Sequence, residues 1–326
     1  MPDNRVLQVA ILIWGCAFCA IAALCMLLSS NYDRKKRKYF VLMESFTALL
    51  LLMDAFANIF RGHPGTVGSM VVHVSNFFVF FVNEIILACF HTYVCIYLLS
   101  EKEWKTFRRV KAGYITATVG AVFVILSQFI NLYYYIDVDN YYHRTPMYIL
   151  SLVFPVICMF IDLTLLIQFR KRISTKILLS MLSYIAFPLA AAVVQMFCYG
   201  VALINFSIGL CMIIMFLAAM SELNQEMYML SSSESKMKER LEIATVLNRC
   251  IAQLLSEEED NVAIFNLLKI ISEYFNSDRS YIFEIREEDH TWINTHEYAV
   301  NGVTEEKDNL QGISLEMLDI CFTAED

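Results

Sequence analysis

Charge is scarce in this chain. Of its 326 residues 18% are charged and 58% are hydrophobic, against about 25% and 45–50% in soluble domains. A single water-soluble core does not need that excess. Zinc-ligand spacing is also missing: the ten cysteines are scattered, eight of them in long apolar stretches. Cys16-Ala-Phe-Cys19 has redox-motif spacing, but a helix buried in lipid gives thiol exchange no access, so these cysteines read as small packing residues. No nucleotide-binding loop is present. The last apolar stretch contains no lysine, which excludes a retinal Schiff base there. Gly and Pro are absent from 222–256, so nothing there ends a helix that has begun.

What is there is apolar length. A helix crosses the hydrocarbon core of a bilayer with about 20 apolar residues. Seven stretches qualify: Val6–Ser30, Tyr39–Phe60, Met70–Leu99, Val110–Ile136, Pro146–Phe169, Ile177–Tyr199 and Val201–Ser221. Tyr199-Gly200 and Asn205 mark the turn that divides the last two. The first stretch has no net positive lead and is too long for a signal-peptide core, so it reads as a retained helix. Lys and Arg in the connecting loops set the orientation. Arg34–Lys38, the loop with Lys102, Lys105, Arg108, Arg109 and Lys111, and the loop with Arg170, Lys171, Arg172 and Lys176 place 14 basic residues on one side. Arg5, Arg61 and Arg144 are the three on the other. The expectation is a multi-pass protein of the plasma membrane, with its N-terminus outside and its C-terminus in the cytoplasm. Residues 1–221 carry a net +7 and residues 222–326 a net −15, so the two parts live in different surroundings.

Beyond the seventh stretch, a 3–4 spacing runs through Leu223, Met227, Leu230, Glu234, Met237, Leu241, Ala244, Asn248, Ile251 and Leu255. That is the seam of a helix that pairs with another, and it predicts a homodimer through 222–256. Glu234 and Asn248 are imperfect core residues, and Ser231-Ser-Ser233 weakens the local helix. A solvated amphipathic linker is the alternative. From about residue 241 the pattern becomes α+β. Leu241–Leu255 is an amphipathic helix, Asp260 can cap a second, and Ile264, Leu267, Leu268, Ile271 and Phe275 give that one an apolar face. Ser280–Ile285 and Thr291–Tyr298 read as two strands of a hairpin around the polar turn Glu287–His290.

Ser277-Asp-Arg-Ser-Tyr-Ile-Phe-Glu-Ile285, Asn294-Thr-His-Glu-Tyr298 and Gly302-Val-Thr-Glu-Glu-Lys-Asp-Asn-Leu-Gln311 together resemble the opening of a GAF domain. The nearest likeness is to those preceding GGDEF diguanylate cyclase or histidine kinase modules in bacterial membrane sensors. The membrane part, ending in Tyr199-Gly-Val-Ala-Leu-Ile-Asn205, is similar to the multi-helix sensor region of such proteins. The resemblance implies an all-α seven-helix membrane bundle over 1–221, a signalling helix over 222–256 and a partial GAF-like domain over 241–326. A complete domain of that kind needs further strands and helices, so a longer parent chain is expected. The resemblance implies a diguanylate cyclase as the first choice of output and a histidine kinase as the second; neither signature occurs here, so these residues alone are expected to be without catalytic activity.

Ionisable side chains within a bilayer are costly and mark candidate sites. Near the outer side, Asp54 and Asn58 share a face of one helix at i, i+4, and His73 and Asn76 share a face of the next at i, i+3. The connecting loop is short, so these four are expected to meet around a cation, a polar ligand or a titrating proton. Nearer the inner side lie Glu44, His91 and Asp162, with Glu84 near the midplane, two turns from His91 on one face. The alternative is that all of them are hydrogen-bonding glue between helices. Tyr133–Tyr135, Tyr141 and Tyr142 read as an interfacial aromatic belt, with a ligand-binding lip as the other possibility. Pro155 and Pro188 are placed to kink their helices. The leading function is a signal receptor for a small-molecule or ion stimulus, with the lipid bilayer as its surroundings. A transporter or channel using the buried carboxylates is the alternative, disfavoured by the lack of an evident inverted repeat. A membrane-embedded enzyme through Glu84, His91 and Asp162 stands behind both. No catalytic residue, cofactor, metal or nucleic-acid partner is expected within the chain.

Overall fold

The structure, a computed structural model, describes residues 4–197, 202–255 and 260–314. It divides into two compact units, Met1–Met227 and Tyr228–Asp326. The first unit is built from α1 (Asn4–Leu28), α2 (Arg34–Phe60), α3 (Thr66–Leu98), the short α4 (Glu101–Thr106), α5 (Arg108–Ile130), α6 (Leu150–Phe169), α7 (Thr175–Phe197) and the start of α8 (Leu203–Leu254). Seven of these helices, all but α4, are long and apolar enough to cross a membrane. Their burial pattern inverts that of a water-soluble protein. Large apolar side chains such as Trp14, Ile21, Phe129 and Phe160 face outward, while Glu44, His91 and Asp162 are fully buried. Lipid, not water, is the solvent that suits such a surface.

α3 is the central helix, packed against α2, α5 and α6. Phe90 of α3 stacks on Tyr184 of α7 with ring centroids 4.1 Å apart. Leu50, Leu51 and Ile86 fill the same core. At the helix ends the polar groups are met locally. Asp33 caps α2 by accepting from the backbone N–H of Lys35 and Lys36 at 3.0 and 2.9 Å. The basic run Arg34–Lys38 therefore forms the first turns of α2 and is not a loop. α4 opens with a reciprocal cap: Ser100 Oγ accepts from Glu103 N, and a Glu103 oxygen accepts from Ser100 N. Arg172 grips that carboxylate with both guanidinium nitrogens, at 2.7 and 2.9 Å.

One span is shorter than the sequence predicts. α5 ends at Ile130, where Asn131 takes a left-handed conformation (φ 47°), so Leu132–Ile136 leaves the helix. These residues run instead into β1 (Tyr134–Ile136), which pairs antiparallel with β2 (Tyr142–Arg144). The tyrosines do not form a simple interfacial belt. Tyr133 and Tyr134 are buried, and Tyr134 stacks on Phe80 of α3 at 5.3 Å. The hairpin is tied to the α2–α3 loop. Asn140 Nδ2 donates to the His63 carbonyl at 2.7 Å, and Gly62 N donates to the Asn140 carbonyl at 3.2 Å. Gly62 is needed there, because its φ is +77° and an added Cβ would lie 2.7 Å from the Tyr141 hydroxyl. α6 and α7 each run through an internal proline, Pro155 and Pro188. The Tyr199-Gly200 turn and Val201 lie outside the described residues, as do Ser256 and 315–326.

α8 is one unbroken helix of 52 residues. The Ser231-Ser-Ser233 run does not interrupt it, because serine lowers helix propensity by only a few tenths of a kcal/mol per residue. The second unit continues with α9 (Asp260–Phe275), β3 (Arg279–Arg286), β4 (Thr291–Ala299) and the short β5 (Ile313–Ser314). The sheet is antiparallel in the order β3-β4-β5. Residues 278–312 are pinned through β4. Glu297 accepts from Glu306 N with both oxygens at 3.0 Å, and Gln311 Nε2 donates to the Asn294 carbonyl at 2.9 Å. α9 packs on β3 and β4, with Phe265 edge-on to Tyr298 at 5.3 Å.

Candidate ligand cavity and buried polar pairs

A cavity of about 180 Å³ opens among α1, α2, α3, α6, α7, α8 and β2, toward the end of the bundle that carries the hairpin. Asp54 lies in its wall and is built in from two helices. Asn58, one turn on along α2, donates to Asp54 Oδ1 at 3.0 Å, and Asn205 of α8 donates to Oδ2 at 2.8 Å. Asn76 of α3 also lines the cavity, its amide turned back to the Val72 carbonyl at 2.8 Å. Gln195 of α7 accepts from Ile204 N at 2.9 Å and so joins the end of α7 to the start of α8.

His73 does not join this group. It is exposed, bonded through Nδ1 to the Ser69 carbonyl at 2.8 Å, and lines a separate hollow with Ser127, Gln128 and Tyr134. At 100° per residue, i and i+3 differ by about 60° around a helix. That angle is enough to turn Asn76 toward the cavity and His73 toward the hairpin.

Arginines surround the hairpin end of the cavity. Arg61, the residue after α2, lines it with its guanidinium 5.5 Å from the Tyr141 ring. Arg144 of β2 lines it too, donates to the Gln195 carbonyl at 3.0 Å, and lies 4.4 Å from the Tyr148 ring. Arg5 of α1 donates to the carbonyls of Asn58, Ile59 and Arg61 and so closes the last turn of α2. The turn carboxylate Asp137 accepts from Tyr141 N at 2.8 Å and meets His143 at 2.7 Å. Those bonds, the Tyr141 N–H first, hold its carboxyl below the usual range.

No family model, curated protein or solved structure matches this chain. Its chemistry is therefore read from its own geometry.

Deeper in the bundle, His91 of α3 meets Asp162 of α6, Nδ1 to Oδ1 at 2.5 Å, and its Nε2 lies 3.0 Å from the Val110 carbonyl. Nε2–H donates to that carbonyl, and one further proton lies between Nδ1 and Oδ1. Cys158 brings its sulfur near, so that one ligand-type atom each of His91, Cys158 and Asp162 fall within 4.8 Å of one another. An ion bridging nitrogen and oxygen stands about 2.0–2.2 Å from each. His91 and Asp162 are already in direct hydrogen-bond contact, so they hold each other and leave no gap for an ion between them.

Glu84 faces α5 on the same side of α3 as His91. The two side chains lie against Gly120 and Gly113: a Cβ on Gly120 would come within 2.6 Å of a Glu84 oxygen, and one on Gly113 within 2.4 Å of the His91 ring. The seven-residue spacing on α3 thus meets a seven-residue spacing of glycines on the antiparallel α5. Glu84 Oε2, Asp162 Oδ2 and both oxygens of Glu44 are buried without a hydrogen-bond partner among the described residues. Glu44 lies beside Cys19 of α1. Neither Glu44, Glu84, His91 nor Asp162 lines the cavity.

At the opposite end of the bundle, three tyrosines reach α8. The Tyr32 hydroxyl lies 2.5 Å from that of Tyr97 and 3.2 Å from that of Tyr93, and Tyr97 donates to Glu222 at 3.2 Å. Lys36 lies 3.9 Å over the Tyr97 ring. Sequence reading missed Asn205, Arg61, Arg144, this tyrosine set and the two glycines. Only Gly113 and Gly120 left a signal, their spacing matching that of Glu84 and His91.

Proposed function

We propose that the chain is the input part of a membrane signal-transduction receptor, which passes a stimulus along α8 to a GAF-like domain and an output module. The observation that carries this reading is α8 itself. One helix supplies Asn205 and Ile208 to the cavity wall, accepts the Tyr97 bond at Glu222, and runs on without a break to Leu254. A rotation or shift of α8 set by occupancy of the cavity is transmitted without loss along a continuous helix, since each hydrogen-bonded turn carries the next. The 14-to-3 excess of basic residues at the helix ends and connections on one side supports an N-terminus outside and a cytoplasmic tail. Met227, Leu230, Met237, Leu241, Ile251 and Leu255 of the seam are exposed, which supports a homodimer through 222–256. The GAF-like resemblance favours a diguanylate cyclase as output, with a histidine kinase as the alternative.

Cysteine crosslinking along α8 in native membranes tests this reading. Met237→Cys and Leu241→Cys should form disulfide dimers, and Glu239→Cys, on the opposite face of the helix, should not. Tyr97→Phe, which removes the bond to Glu222, should change the crosslinking rate at Met237→Cys. A pattern without heptad phase, unmoved by Tyr97→Phe, would overturn the relay.

A second reading, a transporter or channel, is favoured by the unpartnered oxygens of Glu44 and Glu84. Ion or proton flux into sealed vesicles, lost in Glu84→Gln, would support it instead.

A further inference from the structure

We propose that the hairpin-end cavity binds a small organic monocarboxylate, its carboxylate toward Arg61 and Arg144 and its apolar body inward. The inference rests on the receptor reading only in taking this cavity as the input. Four observations carry it.

The first is charge. Arg61 and Arg144 line the cavity and Arg5 stands directly behind Arg61, donating to its carbonyl at 3.0 Å. Asp54 is the one acidic side chain in the wall, and both of its oxygens already accept amide hydrogens, from Asn58 and Asn205. Positive charge is therefore in excess, and in a water-poor wall it acts over a longer range than in water.

The second is an unmade bond. Arg61 Nε is buried and has no hydrogen-bond partner among the described residues. The protein thus leaves this guanidinium short of acceptors, and because Arg61 lines the cavity, an acceptor brought there by a ligand meets a group with unspent donor capacity. The flat guanidinium fork matches a carboxylate in particular, through paired parallel hydrogen bonds.

The third is the gradient of the walls. Tyr142, Tyr148 and Phe80 lie with the arginines, whereas Val79, Pro155, Met159, Leu189 and Ile208 give the remainder an apolar surface interrupted by uncharged amides such as Asn76 and Asn83. Asp54 lies two helical turns further in than Arg61, about 10 Å at 1.5 Å per residue. A second carboxylate on the ligand would meet that side chain, so the wall selects one acid group and not two.

The fourth is size. A cavity of about 180 Å³ holds roughly a dozen water-sized centres, which suits a ligand of comparable heavy-atom count.

The test uses the full chain purified into lipid nanodiscs. Binding of benzoate and hexanoate is measured by calorimetry and by thermal shift, beside the matched neutral probes benzamide and hexanamide and the cation benzylammonium. The carboxylates should bind at least about tenfold more tightly than their amides. Arg61→Gln should remove that preference, Arg61→Lys should keep part of it, and Asp54→Asn should preserve it. Each variant's unliganded melting temperature reports whether it has folded. If Arg61→Gln does not fold, Arg144→Gln takes its place in the comparison. Equal binding of acids and amides would overturn the proposal. So would preferential binding of benzylammonium that Asp54→Asn abolishes, or no binding of either carboxylate up to about 10 mM. Binding is read without any output, so its failure leaves the α8 relay to the crosslinking result. A failed relay likewise leaves carboxylate binding to stand or fall by itself.

Discussion

At the scale of single residues, the bundle interior depends on pairs that fit only because one partner is small. Gly113 and Gly120 of α5 make room for the His91 ring and the Glu84 carboxyl. Gly113→Ala and Gly120→Ala should each destabilise the protein by about 1–3 kcal/mol, the usual cost of overpacking. Thermal unfolding in detergent or nanodiscs checks this. The double variant Gly120→Ala with Glu84→Ala should recover most of the loss, because the three atoms nearest the added Cβ all belong to that side chain; no recovery would mean that α5 needs the glycine for another reason. Sequence reading found His91, Glu84 and Asp162 because an ionisable group in lipid is conspicuous. It could not find that His91 bonds Asp162 or that Glu84 Oε2 is buried without a partner among the described residues. Those outcomes depend on the rotation of α3 against α5 and α6, which no spacing within α3 encodes. His73 shows the same limit: its depth was legible and its direction was not.

At the scale of elements, the connections between helices carry polar caps that respond to pH. Glu103 is held down to about 2, first by its Arg172 bond and then by the Ser100 N–H, and Asp137 is held low by the Tyr141 N–H and His143. Both carboxyls therefore have folded values below their unfolded ones. The stability they contribute is fully present above the unfolded value, about 4, and is lost as pH falls through the lowered folded values. Both groups lie in water, so each contribution is modest and screened by salt. Hydrogen exchange of the α4 and hairpin amides should be unchanged from pH 7 to about 5 after correction for intrinsic rates. It should show loss of protection below about pH 4, and Asp137→Asn should show the hairpin loss already at neutral pH. Protection that rises on acidification would refute the sign. Most element boundaries were legible within a few residues. Two were not: the start of α2, where the basic run Arg34–Lys38 read as loop, and the end of α5, where five apolar and aromatic residues, Leu132–Ile136, read as helix. Hydropathy alone does not distinguish a continuing span from a strand that packs its tyrosines on Phe80; the left-handed turn at Asn131 decides it.

At the scale of the whole molecule, the orientation proposed from basic residues is open to direct measurement. Val138 at the hairpin tip is 98% exposed and lies at the end of the bundle away from the basic loops. In intact cells, Val138→Cys should react with a membrane-impermeant maleimide, and Lys171→Cys should react only after the membrane is opened. The reverse pattern would invert the topology and place the cavity on the cytoplasmic side.

By itself, the sequence determined the class of the protein. Seven apolar stretches, the basic loops on alternate connections, an unbroken helix beyond the last span and an α+β pattern after it are all properties of local composition and period. They follow from what lipid and water each tolerate. Tertiary structure alone decided the sites. It brought Asp54 to Asn205 across 151 residues and His91 to Asp162 across 71, and it left Arg61 Nε buried without a hydrogen-bond partner among the described residues. Such meetings depend on how helices rotate and pack against one another, a balance of many weak contacts summed over the bundle, and no one segment contains it.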